Sequence, residues 1–256
     1  MKDELVTVRA VIVPGSGANF GSLHEACRRI GVAAEISEEA TRIRAATHVL
    51  LPGVGAAAHA MSALRTRGLD RVLAGLTQPL LGICLGMQLL FESSEESPEA
   101  LSPELARGRG LGEGAGVGQP RAVIPEAPSR RYPASPPQPS PPTMKSLGER
   151  ETTCLGLLPG RVLRLPAAPS WPHMGWNQIS LDQPRHPLLA GIDTAAWFYF
   201  VHGYAAAPDA ATLAHSEHGT PFAAIVARGN VHGVQFHPEK SASAGRRLLA
   251  NFFALT

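Results

Sequence analysis

The chain has 256 residues, of which 44% are hydrophobic and 17% are charged. This length and composition suit one sizeable α/β domain, or two small ones, with a packed core. The formal net charge is only +2, and no strongly basic block occurs. Nucleic acid is therefore not an expected partner.

The chain contains three cysteines, Cys27, Cys84 and Cys154, and no pair has C-x-x-C spacing. The odd count, the long chain and this spacing argue against a disulfide framework and a zinc site. We predict no metal, and we expect no cofactor. A reactive thiol in a reducing compartment fits better, and we expect a cytoplasmic protein. No signal peptide is expected at Met1 to Ala10, and no apolar run reaches the ~18 residues of a membrane span.

Short apolar strands alternate with helical segments over the first ninety residues. Helical spacing of apolar residues predicts helices at 20–30 and 85–92. Strands of this kind, separated by helices, predict a parallel sheet covered on both faces. The predicted strands are 6–13, 32–36, 48–51 and 80–83.

Residues 97–150 differ in composition from the rest of the chain. They hold 11 of its 23 prolines, and Pro133 to Pro142 is almost entirely Pro, Ser and Gln. Such a segment buries too little apolar surface to offset its ordering entropy, which predicts a largely disordered insertion.

Beyond the insertion, the sequence is typical of β-structure followed by one helix. Residues 243–253 have helical spacing and close the chain. The runs 197–201, 212–216, 222–227 and 231–236 are predicted strands.

The strongest local motif is Gly82-Ile83-Cys84-Leu85-Gly86, at a predicted strand-to-helix junction. This G-x-C-x-G pattern is the thiol form of a nucleophile elbow, in which small neighbours prevent strand and helix from colliding. The turn places the sulfur at a helix N-terminus, where the dipole favours thiolate. The N–H of Leu85 would point toward the oxyanion of a tetrahedral intermediate. A buried structural cysteine on an ordinary turn is the alternative.

A second motif, Gln235-Phe236-His237-Pro238-Glu239, follows an apolar strand far downstream. A nucleophilic cysteine needs a base for its proton, and the base needs an acceptor that fixes its tautomer. His237 and Glu239 fit these two roles. In isolation the stretch also fits a surface histidine at a strand end.

A third motif, Leu51-Pro52-Gly53-Val54-Gly55, follows the third predicted strand. Glycine-rich backbone at this edge of a parallel sheet can present N–H groups to an anion. An ordinary turn between strand and helix explains it equally well.

Taken together, these motifs resemble the class I glutamine amidotransferase family, and more narrowly the glutaminase subunit of imidazole glycerol phosphate synthase. The resemblance covers nearly all of the chain outside 97–150, and the His-Met-Gly-Trp-Asn block is its most discriminating element. The matching segments are 51–55, 82–92, 156–162, 172–177, 199–202 and 237–239.

The resemblance implies a fold and a catalytic apparatus. The fold would be flavodoxin-like, a mostly parallel central sheet with helices on both faces and a smaller antiparallel β portion. It would form a single domain, 1–256, interrupted by 97–150. Cys84 would attack the glutamine amide, His237 would act as base and then acid, and Glu239 would hold His237. Oxyanion-hole N–H groups would come from Val54, Gly55 and Leu85.

The resemblance also implies residues for substrate and partner. Glutamine would be held by Gln88, Glu96, His202 and Tyr204. The partner would be a (β/α)8-barrel cyclase that forms a heterodimer with this chain and makes imidazole glycerol phosphate and AICAR in histidine biosynthesis. Ammonia would pass to the cyclase without mixing with water. Residues facing the cyclase would be His173, Trp176 and Asn177.

The chain departs from the family pattern in three places. Val13 to Asn19 replaces an Asp-Tyr-Gly-type turn, although the Gly and Asn positions are kept. Gly203 stands where the family commonly has Ser or Thr, which predicts one hydroxyl contact fewer in the glutamine pocket. The third departure is the insertion at 97–150; because loop closure costs grow only logarithmically with length, we expect the fold to survive it.

Three other functions compete with this interpretation. Gly15-Ser16-Gly17 with Glu35 suggests a dinucleotide site, but Phe20 occupies the third glycine position. A non-catalytic scaffold of the same fold would need none of Cys84, His237 and Glu239. An amidotransferase subunit for another synthase, such as one for pyridoxal phosphate or an aromatic amino acid, is disfavoured by the His-Met-Gly-Trp-Asn block.

Overall fold

A computed structural model describes residues 8–14, 20–96, 151–167 and 169–256. The insertion predicted at 97–150, and with it the prediction of one interrupted domain, lies outside the described residues. So does most of the turn predicted at 13–19.

The largest unit of the described fold is an eight-stranded sheet with the order β2-β1-β3-β4-β14-β13-β12-β9. The first five strands in this order run parallel, and the last three join by antiparallel pairing. The strands are β1 (Ala10–Ile12), β2 (Ala34–Ile36), β3 (His48–Gly53), β4 (Leu80–Cys84), β9 (Ser180–Leu181), β12 (Thr212–Glu217), β13 (Pro221–Arg228) and β14 (Val231–Val234).

The central strands are buried along their whole length, as the apolar runs predicted. Every residue of β3, β4 and β14 is buried, which is the pattern of parallel strands covered on both faces. The parallel pairing brings the carboxyl ends of these three strands to one edge of the sheet.

Helices cover both faces of the sheet and divide the apolar interior into two clusters. One cluster holds the buried sides of the first and last helices, and the other holds those of the four between them. The helices are α1 (Phe20–Arg29), α2 (Ala40–Ala45), α3 (Ala57–Thr66), α4 (Leu69–Ala74), α5 (Leu85–Gln88) and α6 (Ala242–Phe253). Within the described ranges, none of these helices is long and apolar enough to cross a bilayer.

Two smaller sheets lie beside the main one and confirm the predicted smaller β portion. Strand β8 (His173–Gln178) pairs with β10 (Trp197–His202) in an antiparallel ribbon. The other sheet has the order β11-β7-β5-β6 and contains one parallel pair, β5 with β7. Its strands are β5 (Ser93–Ser94), β6 (Thr152–Thr153), β7 (Arg161–Arg164) and β11 (Tyr204–Ala206).

The helix after Cys84 is shorter than its apolar sequence predicted. It was expected over 85–92 and ends at Gln88. The carbonyls of Leu89, Leu90 and Phe91 instead accept hydrogen bonds of 2.8–2.9 Å from backbone N–H groups of residues 155–158. The N–H groups of Leu90 and Phe91 donate to carbonyls three residues back, those of Met87 and Gln88, so the α-helical pattern ends here. Local helical spacing could not reveal this end, because the carbonyls that follow it are satisfied by residues distant in sequence.

Candidate active site

Cys84 is the last residue of β4 and immediately precedes α5. Its backbone has φ 55° and ψ −114°, a conformation that costs a non-glycine residue roughly 1–3 kcal/mol. This strained turn from strand to helix is the geometry of a nucleophile elbow. The thiol donates to the carbonyl of Val201 at 3.6 Å.

The glycines that flank Cys84 are required by space. A Cβ on Gly82 would lie 2.7 Å from the carbonyl oxygen of Gly86, and one on Gly86 would lie 1.7 Å from that of Leu51. The helix therefore crosses β3 and β4 at backbone contact distance, as the G-x-C-x-G pattern predicted.

The other two cysteines are poor candidates for a nucleophile. Burial raises the pKa of Cys27 to about 12 and that of Cys154 to about 12. A thiol with such a pKa carries almost no thiolate at neutral pH.

His237 and Glu239 form a buried pair at the same sheet edge as Cys84. Strand β14 runs parallel to β4 with Val234 opposite Ile83, so the residues after each strand emerge side by side. His237 Nδ1 lies 2.9 Å from Glu239 Oε1, which fixes the proton on Nδ1 and leaves Nε2 for Cys84. Among the residues that the structure describes, Glu239 Oε2 has no hydrogen-bond partner.

The electrostatics of His237 favour its protonated form. Burial alone would lower its pKa, but the charge of Cys84, a hydrogen bond with Cys84 and the Glu239 carboxylate together raise the pKa. His237 is therefore able to take the thiol proton and hold it near neutral pH.

Hydrogen bonds hold the backbone of His237 on both sides. Its N–H donates to the carbonyl of Tyr199 at 2.9 Å, and the buried Ser241 hydroxyl donates to its carbonyl at 2.7 Å. Sequence reasoning missed Ser241, because nothing in the local pattern shows that its hydroxyl returns to residue 237.

Gln235 is a second residue that the sequence analysis missed. It is fully buried, its Nε2 lies 4.0 Å from Cys84 Sγ, and its Oε1 accepts from Gln88 Nε2 at 3.1 Å. Gln235 precedes His237 by two residues, so strand alternation was a usable signal that both side chains leave the same face.

The predicted oxyanion residues directly follow the carboxyl ends of β3 and β4. In the parallel pairing of β3 and β4, Gly53 is directly opposite Cys84. Val54 and Gly55 follow Gly53, and Gly55 has φ +93°. Leu85 is the first residue of α5. Backbone from two separate segments, 53–55 and the start of α5, therefore lies beside Cys84.

Three of the four predicted glutamine-binding residues are joined by hydrogen bonds around one carbonyl. The backbone carbonyl oxygen of Tyr204 accepts hydrogen bonds from Gln88 Nε2 at 2.8 Å and from His202 Nδ1 at 2.9 Å. Glu96, the fourth, interacts electrostatically with Tyr204 and helps to raise the pKa of that phenol, to which burial contributes most.

Glu96 carries a perturbed carboxyl group. Its Oε2 accepts from the backbone N–H of Ala57, the first residue of α3, at 2.9 Å. Burial nevertheless dominates over this hydrogen bond and raises the pKa of Glu96 to about 7. The group thus changes charge within the physiological range and suits an interaction with a cation.

The residues predicted to face a partner lie on β8 but on opposite faces of it. Trp176 is 49% exposed, and it shares its face with Met174, at 61%, and with Trp197 on β10, at 52%. Exposed apolar side chains grouped in this way are typical of protein contacts. His173 is buried instead, and Asn177 is partly buried behind it.

His173 and His202 form a hydrogen-bonded chain under the ribbon. His202 Nδ1 must donate to the Tyr204 carbonyl, so its Nε2 accepts from His173 Nδ1 at 2.9 Å. Asn177 Nδ2 then donates to His173 Nε2 at 3.3 Å. Burial lowers the pKa of His173 to about 4 and that of His202 to about 3, so both rings are neutral and their tautomers are fixed. In the described part of the chain, no group of three or more His, Cys, Asp or Glu side chains is arranged to hold a metal ion.

Comparison with solved structures supports the fold. A crystal structure of a glutamine amidotransferase superposes with a TM-score of 0.59 at 16% identity, covering 96% of this chain and 97% of the other. At this identity the likeness speaks for the fold alone.

Comparison of sequences identifies the family. The family model "Glutamine amidotransferase class-I" matches residues 18–255. A protein of Xanthomonas euvesicatoria named imidazole glycerol phosphate synthase subunit HisH is 39% identical over 247 residues, which cover 96% of each chain. The protein of the same name from Xylella fastidiosa is 39% identical over 246 residues, covering 95% of this chain and 96% of its own. The chain therefore belongs to the class I glutamine amidotransferases and, within them, to the family of imidazole glycerol phosphate synthase subunit HisH.

Proposed function

We propose that the chain hydrolyses glutamine to glutamate and ammonia with Cys84 as nucleophile, His237 as base and acid, and Glu239 as the group that holds His237. The observation that carries this proposal is the strained elbow at Cys84 beside a buried His237–Glu239 pair at 2.9 Å. A cysteine, a histidine and an orienting carboxylate are the parts that thiol acyl transfer requires.

The proposed reaction has two halves. His237 takes the proton of Cys84 while the sulfur attacks the side-chain amide carbon of glutamine, and His237 then gives this proton to the departing ammonia. The resulting thioester is cleaved by water, whose proton passes to His237 and then back to the sulfur as glutamate leaves. The raised pKa of His237 favours the first transfer and keeps the proton available for the leaving group.

In both halves negative charge develops on the carbonyl oxygen of the carbon under attack, and backbone N–H groups would stabilise this charge. We assign this role to Val54, Gly55 and Leu85. The register that places Gly53 opposite Cys84 supports the assignment, because donors must lie close to the sulfur's target carbon.

We assign the binding of the glutamine head group to Gln88, Glu96, His202 and Tyr204. The shared carbonyl of Tyr204 and the half-buried Glu96 carboxyl support this assignment. A carboxylate in this position would pair with the α-ammonium group of glutamine.

The pairing of Glu96 with an ammonium group predicts a pH dependence of glutamine binding. Only ionised Glu96 attracts the ammonium, and the pKa of Glu96 in the empty site is about 7. Binding should therefore release a proton and strengthen by up to ~10-fold per pH unit from pH 5 to 7, then level off. Calorimetric titration of the Cys84→Ala variant with glutamine measures this without turnover.

Two variants isolate the contribution of Glu96. Glu96→Gln should bind glutamine more weakly and lose the rise between pH 5 and 7. Glu95→Gln changes the exposed neighbour of Glu96 and should keep the rise in affinity between pH 5 and 7. A rise that persists in Glu96→Gln would assign the titrating group elsewhere.

We infer further that ammonia passes to a (β/α)8-barrel cyclase subunit in a heterodimer, and that the pair makes imidazole glycerol phosphate and AICAR in histidine biosynthesis. The names of the relatives, subunits of a synthase, support a second subunit. The exposed face with Met174, Trp176 and Trp197 supports a docking site on the ribbon, with His173 and Asn177 behind it. A cytoplasmic location would keep the free thiols reduced.

Glutamate release from glutamine, with and without the cyclase and its nucleotide substrate, tests the whole proposal. Strong stimulation by the liganded cyclase is the expected result, because the two sites would be coupled. Glutamate release that is the same with and without the cyclase would indicate that the chain serves another synthase. No release under any condition would contradict the glutaminase assignment itself.

A further inference from the structure

Trp171 occupies the space that a side chain at position 203 would need. A Cβ built on Gly203 would lie 2.7 Å from Cζ2, 2.8 Å from Cε2 and 3.0 Å from Nε1 of the Trp171 indole. Gly203 does not have a positive φ, so its backbone conformation is open to other residues. The position of the indole therefore requires glycine at 203.

The indole is held against Gly203 from several sides. Its Nε1–H donates to the Gly203 carbonyl at 3.0 Å, and the backbone N–H of Leu165 donates to the same oxygen at 2.9 Å. The guanidinium of Arg164 lies 4.5 Å from the ring centroid, within the range of a cation–π interaction. The Tyr204 ring meets the indole edge-on, with centroids 6.4 Å apart.

Gly203 lies in the middle of the segment that builds the candidate site. Before it, the Val201 carbonyl accepts from the Cys84 thiol, and His202 donates to the Tyr204 carbonyl. After it, the same Tyr204 carbonyl holds Gln88. A rotation of the Gly203 peptide would therefore displace groups on both sides of the glutamine pocket.

From this geometry we propose that Trp171 is a positioning residue for glutamine. The indole fills the place of a side chain at 203 and fixes the His202–Gly203–Tyr204 backbone through its N–H donor. The pair of a large residue at 171 and glycine at 203 thus sets the shape of one wall of the pocket. The inference deepens the proposed glutaminase function and rests on it.

Binding of L-glutamine to the full-length Cys84→Ala protein, measured by calorimetry, tests the pair in four combinations. Trp171→Val removes the ring and the donor, and we expect about fivefold to tenfold weaker binding, the effect of one lost hydrogen bond plus packing. Gly203→Ser alone should weaken binding at least as much, because its Cβ collides with the ring. The double variant should bind no worse than Trp171→Val, because the smaller residue relieves that collision.

Two further variants separate positioning from general stability. Trp171→Phe keeps an aromatic ring over Gly203 but lacks the N–H donor, and should bind with intermediate affinity. Ile36→Ala removes an apolar side chain on β2 that is 47% exposed and has no part in the site, and this variant should bind glutamine like the parent. Thermal melting of each variant reports folding; a merely structural Trp171 would lower the melting temperature and leave the affinity for glutamine unchanged.

The outcomes distinguish this inference from the proposed function. Unchanged affinity in Trp171→Val, or losses in the two single variants that simply multiply in the double variant, would overturn the role of Trp171. Failure of the Cys84→Ala protein to bind glutamine, together with no glutamate release by the parent, would overturn the glutaminase assignment. In that case the inference falls with it, whatever the melting temperatures of the Trp171 and Gly203 variants show.

Discussion

Replacement of Cys84 by alanine is expected to abolish glutamate release while leaving the protein folded. A covalent route has no substitute nucleophile, and loss of such a residue costs on the order of 10⁴-fold or more in turnover. Folding should be preserved because alanine keeps the Cβ and therefore the same strained backbone at φ 55°. Single-turnover assays and thermal melting measure the two effects separately.

Two companion variants sharpen this prediction. Cys84→Gly should be equally inactive but more stable than Cys84→Ala, because glycine adopts a positive φ without steric cost. Cys154→Ala should keep full activity, since burial suppresses ionisation of that thiol by raising its pKa to about 12. Turnover that survives in Cys84→Ala, or disappears in Cys154→Ala, would show that the nucleophile is wrongly assigned.

The sequence was most informative where function depends on local geometry. The glycines around Cys84 are needed because β4 and α5 approach within backbone contact distance, and such a constraint leaves a short readable motif. The alternation of apolar strands with helices likewise predicted the parallel sheet, because burial on both faces of β3 and β4 requires continuous apolar runs.

The sequence was less informative where a role depends on tertiary contacts. Gln235 reaches Cys84 only because β14 pairs with β4, and Ser241 supports His237 through a turn that returns to it. The carbonyls that follow α5 are satisfied by backbone N–H groups of residues 155–158. Apart from the two-residue spacing of Gln235 and His237, these contacts leave no mark in the composition or spacing of the segments concerned.

The His-Met-Gly-Trp-Asn block shows both situations within one strand. As a motif it identified the narrower family, which the relatives confirm. Its alternation places His173 and Trp176 on opposite faces of β8, so only one of them is exposed in the isolated chain. The interface role of His173 and Asn177 stays a prediction, and any contribution of His173 would pass through His202.

Gly86→Ala is the substitution with the largest expected effect on folding. The new Cβ would lie 1.7 Å from the Leu51 carbonyl oxygen and 2.8 Å from its carbon. Both are backbone atoms of the central strand β3, so no side-chain rotation relieves the collision. Helix α5 must move away from the sheet, and we expect a loss of about 3 kcal/mol or more in the free energy of unfolding. Glutamate release should fall as well, because α5 begins directly after Cys84, and its movement would shift the sulfur relative to the Val54–Gly55 backbone that follows β3.

Gly75→Ala is the matched control for this substitution. Gly75 follows α4 at φ −97°, and a Cβ there would lie 3.5 Å from the nearest atom, the Arg71 carbonyl oxygen. The same chemical change should therefore be tolerated, with a gain or loss within about 1 kcal/mol, because alanine restricts the unfolded chain and meets no clash. Urea denaturation of both variants measures the difference. A Gly86→Ala protein as stable and active as Gly75→Ala would mean that α5 does not cross β3 as closely as the elbow geometry requires.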